Sequence, residues 1–321
     1  MISHILVPLD GSALAECVLP HVLAIASPAN TRITLLHVLE PPHAKGDEQT
    51  IDPLEWHLKK REAGVYLDGI AQRLQEAELK VENVTLEGLP ADCVIDFANN
   101  NDITLIVLST HGRSGLSGWN VSSVVQKIIQ RSFKSTLLVR AYNPPSKEHT
   151  AIRYNRLFVG LDCSARAESI LPIAVNLAQS HQAILILGMV VPRPKMLSRF
   201  PLSDEDAQLV ARIVERNHHT ASQYFEGLQK QLSLQGVDSE IQLIASDDVT
   251  TALHEMVEQQ NADLVMLVAH GHSGGGRWPY GSMAASFITY GTTSLLILQD
   301  LPVDEIQQTM AEIAARESKG H

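Results

Sequence analysis

Residues 10–16 read Asp-Gly-Ser-Ala-Leu-Ala-Glu, and Leu19-Pro20 follow shortly afterwards. Residues 162–168 read Asp-Cys-Ser-Ala-Arg-Ala-Glu, and Leu171-Pro172 follow at the same spacing. The offset between the two copies is 152 residues. Agreement over this length, with the same residue types in the same order, indicates an internal repeat.

A second block recurs farther along each half. In the first half it comprises His111-Gly112, Ser114-Gly115, Trp119 and Ser123, and its copy comprises His270-Gly271, Ser273-Gly274, Trp278 and Ser282. The offset of this block is 159 residues, close to that of the first block. Two blocks in the same order with nearly the same offset indicate that one unit of about 150 residues was duplicated.

The composition restricts the classes of function. With 36 acidic and 25 basic residues, the net charge of −11 opposes a general attraction to nucleic acid and to anionic membranes. The three cysteines, Cys17, Cys93 and Cys163, show no Cys-x-x-Cys spacing, which favours neither a disulfide framework nor a zinc site. No apolar stretch approaches about 18 residues, and the N-terminus lacks the pattern of a signal peptide. We therefore expect a soluble, cytoplasmic protein.

Short β-branched runs alternate with segments of helical periodicity in both halves. Their near-continuous hydrophobicity is typical of parallel strands that helices cover on both faces. The predicted strands are His4–Leu9, Arg32–Leu39, Lys80–Leu86, Leu105–Ser109 and Ser135–Arg140, then Arg156–Leu161, Ala183–Val190, Ser239–Ile244, Leu264–Ala269 and Ser294–Gln299. The predicted helices of the first half are Ala13–Ala26, Asp52–Ala77, Ala91–Asn99 and Ser122–Arg131. This alternation predicts an α/β fold of two doubly wound, five-stranded parallel-sheet domains in tandem, each Rossmann-like.

The repeat also sets the predicted domain boundaries. Domain 1 spans residues 1–143, and domain 2 spans residues 154–300. Residues 144–153 are polar, begin with two prolines and lie where the repeat restarts, so we interpret them as a linker. Residues 301–321 have no counterpart in the first half, and their charged amphipathic pattern predicts a C-terminal helical tail.

Both repeated blocks fall at the carboxyl ends of predicted strands, where ligands bind in doubly wound sheets. Asp10 and Asp162 follow the first strand of each half, and Gly112 and Gly271 follow the fourth. Glycine lets a ligand approach the backbone closely, and the N-terminus of a helix presents N–H groups and a positive dipole end. This combination suits a phosphate chain. The corresponding helix openings are predicted at Ser122-Ser123 and at Gly281-Ser282.

On these motifs the chain resembles the universal stress proteins, and the resemblance covers both halves over nearly all of residues 1–300. Nucleotide-binding members carry Gly-x2-Gly-x9-Gly-(Ser/Thr) after the fourth strand and an aspartate after the first. The resemblance implies the ligand ATP, with AMP or ADP as alternatives and with Mg²⁺ accompanying ATP. The nucleotide-binding residues that it implies are Asp10, Val38, Gly112, Ser122 and Ser123 in the first half, and Asp162, Met189, Gly271, Gly281 and Ser282 in the second.

The resemblance further implies HUP-type domains that pack about a pseudo-twofold axis. Their fifth strands, over Thr136–Arg140 and Leu295–Gln299, would pair with each other within one chain. Whether two such chains then form a homodimer is left open. No contact with nucleic acid or membrane is expected.

Each half departs from the family motif. The first glycine of the motif is Ser109 in one half and Val268 in the other. The later glycine is Ser122 in the first half, whereas the second half keeps Gly281. Cys163 stands where the first half has Gly11, and Pro279 removes one N–H donor; these residues are expected to crowd the second pocket. We therefore predict that the first half is the better site.

Structural roles compete with the functional ones. The glycines can be turn formers, Asp10 and Asp162 can be helix N-caps, and Trp119 and Trp278 are interpreted as packing residues. His111 and His270 lack neighbours at metal-ligand spacing, so we expect no metal site there.

Two functions remain. The first is an ATP-binding stress-response protein in which the nucleotide is a regulatory ligand, and the second is a scaffold or interaction protein that keeps the fold without the nucleotide. No Walker A lysine and no paired carboxylates accompany the phosphate motif, so we do not expect an enzyme, although slow ATP hydrolysis is compatible with the motif. A third reading, an adenylylating ATP pyrophosphatase, is disfavoured because Ser273–Gly276 follows the fourth strand rather than the first.

Overall fold

A computed structural model of the chain describes residues 2–41, 52–113, 115, 121–141, 151–194, 203–271 and 279–300. Most of the predicted linker, the whole predicted C-terminal tail, Trp119 and Trp278 lie outside these residues. Within the described ranges, no helix combines the length and apolar character that crossing a bilayer requires.

The first half alternates strands and helices as the hydrophobic pattern predicts. Its elements are β1 (His4–Pro8), α1 (Ala13–Glu16), α2 (Leu19–Ile25), β2 (Arg32–Leu39), α3 (Pro53–Gln75), β3 (Lys80–Glu87), α4 (Pro90–Asn100), β4 (Leu105–Ser109), α5 (Ser123–Ser132) and β5 (Ser135–Val139). Proline is the first residue of both α3 and α4. It is tolerated there because the first residue of a helix has no intrahelical acceptor for its N–H.

The second half repeats the order. Its elements are β6 (Arg156–Gly160), α6 (Ala165–Glu168), α7 (Leu171–His181), β7 (Ile184–Pro192), α8 (Asp204–Leu234), β8 (Ser239–Ser246), α9 (Val249–Gln259), β9 (Leu264–Val268), α10 (Ser282–Tyr290) and β10 (Ser294–Leu298). The main difference in length is α8, with 31 residues against 23 in α3.

One predicted helix is wrong in extent. The sequence predicts a continuous helix over Ala13–Ala26, but the structure has two helices, α1 and α2, separated at Cys17 and Val18. Pro20 explains the break, because it has no N–H for a bond to the carbonyl of Glu16 and its ring would clash with that carbonyl. The same break recurs before Pro172 in the second half.

The ten strands form one sheet in the order β3-β2-β1-β4-β5-β10-β9-β6-β7-β8. Within each half, neighbouring strands are parallel. The halves meet where β5 pairs antiparallel with β10, with Leu137 opposite Leu296. This order places β1 beside β4 and β6 beside β9, so the loops that follow these strands meet at the carboxyl edge of each half, where ligands bind in such sheets.

Helices cover both faces of this sheet. Successive side chains of a strand point to opposite faces, so Ile5 and Val7 pack with α2 and α3, whereas Leu6 packs with α4 and α5. The two resulting cores run through both halves. Because both faces are buried, the strands carry the near-continuous apolar runs seen in the sequence.

Candidate functional site

The first half has a large cavity at the carboxyl edge of its strands. Its volume is about 1530 Å³, which is ample for a nucleotide. The cavity lies between the ends of β1, β2 and β4, the N-terminus of α5 and one face of α3. All five residues predicted for this half line it, namely Asp10, Val38, Gly112, Ser122 and Ser123.

Asp10 joins the two repeated blocks of the first half. Its Oδ1 accepts hydrogen bonds from the backbone N–H of Ser12 at 2.9 Å and from the Ser12 hydroxyl at 2.6 Å. Its Oδ2 accepts the backbone N–H of Arg113, in the loop after β4, at 2.5 Å. A carboxylate has about four acceptor sites, so Asp10 can still accept a bond from a ligand hydroxyl.

The interpretation of Asp10 as the N-cap of the first helix is wrong. The N-cap of α1 is Ser12, whose side chain accepts from the N–H of Ala15 at 3.1 Å. Ser164 caps α6 in the same way, with its bond to Ala167 also at 3.1 Å. Serine reaches the N3 amide directly, which leaves the aspartate to orient the serine and the loop.

Gly112 is needed because Asp10 lies against it. A Cβ built on Gly112 would overlap Oδ2 of Asp10, so any side chain here would displace the carboxylate. Gly112 does not adopt a positive φ; the left-handed residues nearby are Gly11, at φ +81°, and Gly115, at φ +76°. Close approach, rather than backbone freedom, therefore accounts for the glycine after β4.

The first turn of α5 forms one end of the cavity. Ser122 is the N-cap of α5, and its hydroxyl accepts from the N–H of Val125 at 3.4 Å. The N–H of Ser122 donates to the carbonyl of Thr110 at 2.9 Å, so this N–H is already used within the protein. The N–H groups of Ser123 and Val124 precede the first intrahelical acceptor, and they lie at the positive dipole end of the helix.

The opposite end of the cavity is formed by β2 and α3. His37 is buried, and its Nδ1 lies 2.8 Å from the carbonyl of Leu9, which fixes the ring beside Asp10. Burial lowers the pKa of His37, so the imidazole is neutral at pH 7. Tyr66 of α3 packs edge-on against His37 with ring centroids 6.2 Å apart. This end combines apolar and aromatic side chains with the charged side chains of Lys59 and Glu62.

Sequence reasoning missed Arg113. Besides its backbone bond to Asp10, its Nη2 donates to the Asp10 carbonyl at 2.5 Å. Its guanidinium lies close enough to His37 to help lower the pKa of that ring. Arginine binds phosphate oxygens in bidentate fashion, so it adds a cation beside the neutral donors at the start of α5. The signal in the sequence that could have identified Arg113 is its position directly after Gly112.

In the second half, Asp162 repeats the geometry of Asp10. Its Oδ1 accepts from the N–H and hydroxyl of Ser164 at 3.0 and 2.6 Å. A Cβ built on Gly271 would overlap Oδ2 of Asp162, as at Gly112. Gly281 is the N-cap of α10, and its N–H donates to the carbonyl of Ala269 at 2.8 Å. Ser282 begins α10 directly after it.

Two features distinguish the base end of the second half. Cys163 adopts φ +61°, the left-handed conformation that Gly11 adopts in the first half. Its Sγ lies 3.5 Å from Sδ of Met189, the residue predicted to contact adenine in this half, whose register in the sheet makes it the counterpart of His37. Two sulfur-containing side chains therefore meet at the predicted adenine position of this half.

The loop after β9 is also anchored differently. Asp300, whose side chain is 4% exposed, lies with Oδ1 2.9 Å from Nδ1 of His270 and with Oδ2 3.1 Å from Nε of Arg166. The equivalent positions of the first half are occupied by Ala141 and Leu14 instead of Asp300 and Arg166. This charged network holds the start of the second phosphate loop against α6. Across the described residues, no group of three or more His, Cys, Asp or Glu side chains is arranged to hold a metal ion.

The fold and the repeated contact of an aspartate with the glycine after the fourth strand define a duplicated α/β protein with the same arrangement at the carboxyl edge of each half. The model of the Universal stress protein family matches residues 1–140 and 153–299, so the chain belongs to that family. Universal stress protein MJ0577 of Methanocaldococcus jannaschii is 27% identical over 158 residues, which cover 44% of this chain and 98% of that protein.

Solved structures show the same fold over the whole chain. A universal stress protein from Archaeoglobus fulgidus DSM 4304 has a TM-score of 0.62 at 16% identity, covering 92% of this chain and 96% of its own. The functionally unknown protein PA1789 from Pseudomonas aeruginosa PAO1 has a TM-score of 0.65 at 14% identity, with 98% of each chain covered. The tandem arrangement is therefore shared with other proteins of this fold.

Proposed function

We propose that this protein binds an adenine nucleotide, ATP, in its first half as a regulatory ligand in a cytoplasmic stress response. The observation that supports the proposal most directly is that Asp10, Val38, Gly112, Ser122 and Ser123 all line one cavity of about 1530 Å³. These residues come from four separate segments of the chain, and the fold brings them to one edge.

The chemistry of the cavity matches the parts of a nucleotide. The first turn of α5 and Arg113 suit the phosphates, because both present N–H donors and positive charge. Asp10 suits the ribose hydroxyls, and the apolar and aromatic side chains at the end near Val38 suit the base. Mg²⁺ would arrive with the phosphates of ATP. Backbone amides, hydroxyls and a guanidinium hold phosphate without activating water, so we propose binding rather than turnover as the function.

For the second half we propose a mainly structural role. The contact between Cys163 and Met189 supports this view, because it fills the position that corresponds to the base end of the first half. The second half also contributes Thr289 of α10 to the lining of the first cavity. We thus propose a scaffold role, in which the fold is kept without a nucleotide, for the second half only.

The direct test is to denature the protein immediately after purification from its own cells and to identify released nucleotides by mass spectrometry. We expect adenine nucleotide at close to one equivalent per chain. Another universal stress protein has been crystallised in complex with cAMP, so cAMP is the second ligand to titrate. If neither nucleotide is released, and the stripped protein binds neither at millimolar concentration, the chain is a scaffold and the proposal fails.

A further inference from the structure

We propose that Trp56 is the surface on which the base stacks in the first-half pocket, and that it selects ligands with an aromatic base over phosphates without one. The inference rests on the proposed nucleotide site and deepens it. Trp56 lies near the start of α3, and it is part of the cavity lining.

The face of α3 that carries Trp56 is turned to the cavity. The residues of α3 that line the cavity are Trp56, Lys59, Glu62, Ala63 and Tyr66. Trp56, Lys59, Ala63 and Tyr66 follow one another at intervals of three or four residues, and Glu62 is adjacent to Ala63, which places the set on one side of the helix. Trp56 is therefore on the same wall as Tyr66, whose ring contacts His37 beside Asp10.

Glu87 fixes the indole in place. The Nε1–H of Trp56 donates to Oε2 of Glu87 at 3.0 Å, and Oε1 of Glu87 is paired with Nζ of Lys60. Glu87 is the last residue of β3 and is in register with Leu39, directly after Val38. The ring is thus held at the ends of β2 and β3, at the end of the cavity that β2 and α3 form.

The hydrogen bond uses the N–H at the edge of the indole, and this N–H is the only polar group of the ring. The remaining surface of the ring can offer only apolar and π contact, and such contact recognises a base and not a phosphate. A stacked base contributes to affinity because water leaves the face of the base and the face of the indole that meet. The contribution is similar for different bases, since every base has a π face.

The duplication supplies an internal comparison. Tyr66 of α3 corresponds to Tyr224 of α8, whose hydroxyl donates to Glu168 at 2.9 Å, and Glu168 is the repeat partner of Glu16. Ten residues before Tyr66 is Trp56, whereas ten residues before Tyr224 is Val214. The second half therefore keeps the tyrosine and has valine at the position of Trp56.

The experiment is calorimetric titration of nucleotide-free protein with ATP and, separately, with inorganic tripolyphosphate, which has the phosphates and no base. We expect Trp56→Ala to lose about fivefold to a hundredfold in affinity for ATP and to keep its affinity for tripolyphosphate. Trp56→Phe, which keeps a stacking ring without the N–H, should stay within about threefold of the unmutated protein for ATP. Glu87→Gln should fall between these variants.

The outcomes separate this inference from the proposed function. If the unmutated protein binds no ATP, the proposed function fails. If it binds ATP and Trp56→Ala binds ATP equally well, or if Trp56→Ala loses ATP and tripolyphosphate in the same proportion, the stacking role is wrong. A chain with Trp119→Phe and Trp278→Phe provides a second measurement, because its only tryptophan is Trp56. Its fluorescence should change on addition of ATP and not on addition of tripolyphosphate, and the absence of a change with bound ATP would also overturn the inference.

Discussion

Gly11 and Cys163 occupy the same place in the repeat and adopt the same left-handed conformation, with φ at +81° and +61°. Glycine adopts this region without a steric penalty, whereas a residue with a Cβ is disfavoured by roughly 1–2 kcal/mol. The second half has thus kept the turn and lost the residue best suited to it. This strain lies at the predicted adenine position, where Cys163 contacts Met189.

Cys163→Gly should relieve the strain. Because glycine also increases the entropy of the unfolded chain, we expect a net gain of up to about 1 kcal/mol in the free energy of unfolding, measured by denaturant titration. The matched control is Gly11→Ala, which should destabilise by about 1 kcal/mol or more, because its Cβ would also lie 3.3 Å from Nη2 of Arg113. If Cys163→Gly lowers stability, its contact with Met189 outweighs the backbone strain.

The two aspartates should differ in their effect on ATP affinity. Asp10→Asn keeps the shape of the side chain and removes the charge, which should weaken ATP binding by about tenfold to a hundredfold. Asp162→Asn makes the same change in a site with the same serine contacts and should have little effect. Equilibrium titration of both variants checks the ranking, and a larger loss from Asp162→Asn would reverse the order of the halves.

Acid should destabilise the contact between the halves. His21 of α2 lies with Nδ1 2.7 Å from the hydroxyl of Tyr154, a residue of the second half that is 1% exposed. Burial lowers the pKa of His21 to about 4 from an ordinary value of 6.5. Between these values the unfolded chain binds a proton that the folded chain does not, so this contribution to stability is complete above pH 6.5 and falls as the pH drops towards 4.

The expected loss from His21 over this pH range is about 2 to 3 kcal/mol. His4, His37 and His254 have pKa values that burial also lowers, so they add to the same slope. The measurement is the free energy of unfolding against pH for the unmutated chain and for His21→Phe, which cannot titrate. The variant should show a shallower slope between pH 6.5 and 4, and equal slopes would contradict the assignment.

Arg140 should be important for the union of the two halves. It follows β5, yet its Nη2 donates to the carbonyl of Phe287 at 2.6 Å and its Nη1 to that of Ile288 at 3.2 Å, at the C-terminal end of α10. A buried cation there satisfies terminal carbonyls and the negative end of the helix dipole. Arg140→Met should cost about 2 kcal/mol or more in the free energy of unfolding.

The control for Arg140→Met is Arg131→Met. Arg131 forms an ion pair with Asp92, and its side chain is 58% exposed. Its loss should cost no more than about 0.5 kcal/mol. If thermal or denaturant unfolding shows the two variants to be equally stable, Arg140 does not stabilise the contact between the halves.

The sequence was sufficient for the fold, because continuous apolar strands and helical periodicity are local signals that recur in both halves. It failed where a single residue overrides the periodicity, as Pro20 does in dividing α1 from α2. The sequence also suggested Asp10 as a possible N-cap. Aspartate and serine are both common N-cap residues, so residue type alone could not show that Ser12, two residues later, accepts the N3 amide.

The predicted residues of the first half do meet in one cavity, but the sequence could not show how they meet. Gly112 was expected to let a ligand approach the backbone closely, whereas in the structure it provides room for the Asp10 carboxylate. Trp56 and Tyr66 were missed because an aromatic residue on a helix is usually a core residue, and only the packing of α3 against β2 places them on the cavity wall. Such long-range placement is not encoded in spacing.

If the first half holds the nucleotide, ATP titration of Gly112→Ala and Gly271→Ala beside the unmutated chain should distinguish the two halves. The two variants introduce the same overlap with the neighbouring aspartate, one in each half. We predict one saturable ATP site per unmutated chain, weakened at least tenfold in Gly112→Ala and unchanged in Gly271→Ala. Absence of saturation at millimolar ATP in the unmutated chain, or a loss confined to Gly271→Ala, would contradict this account.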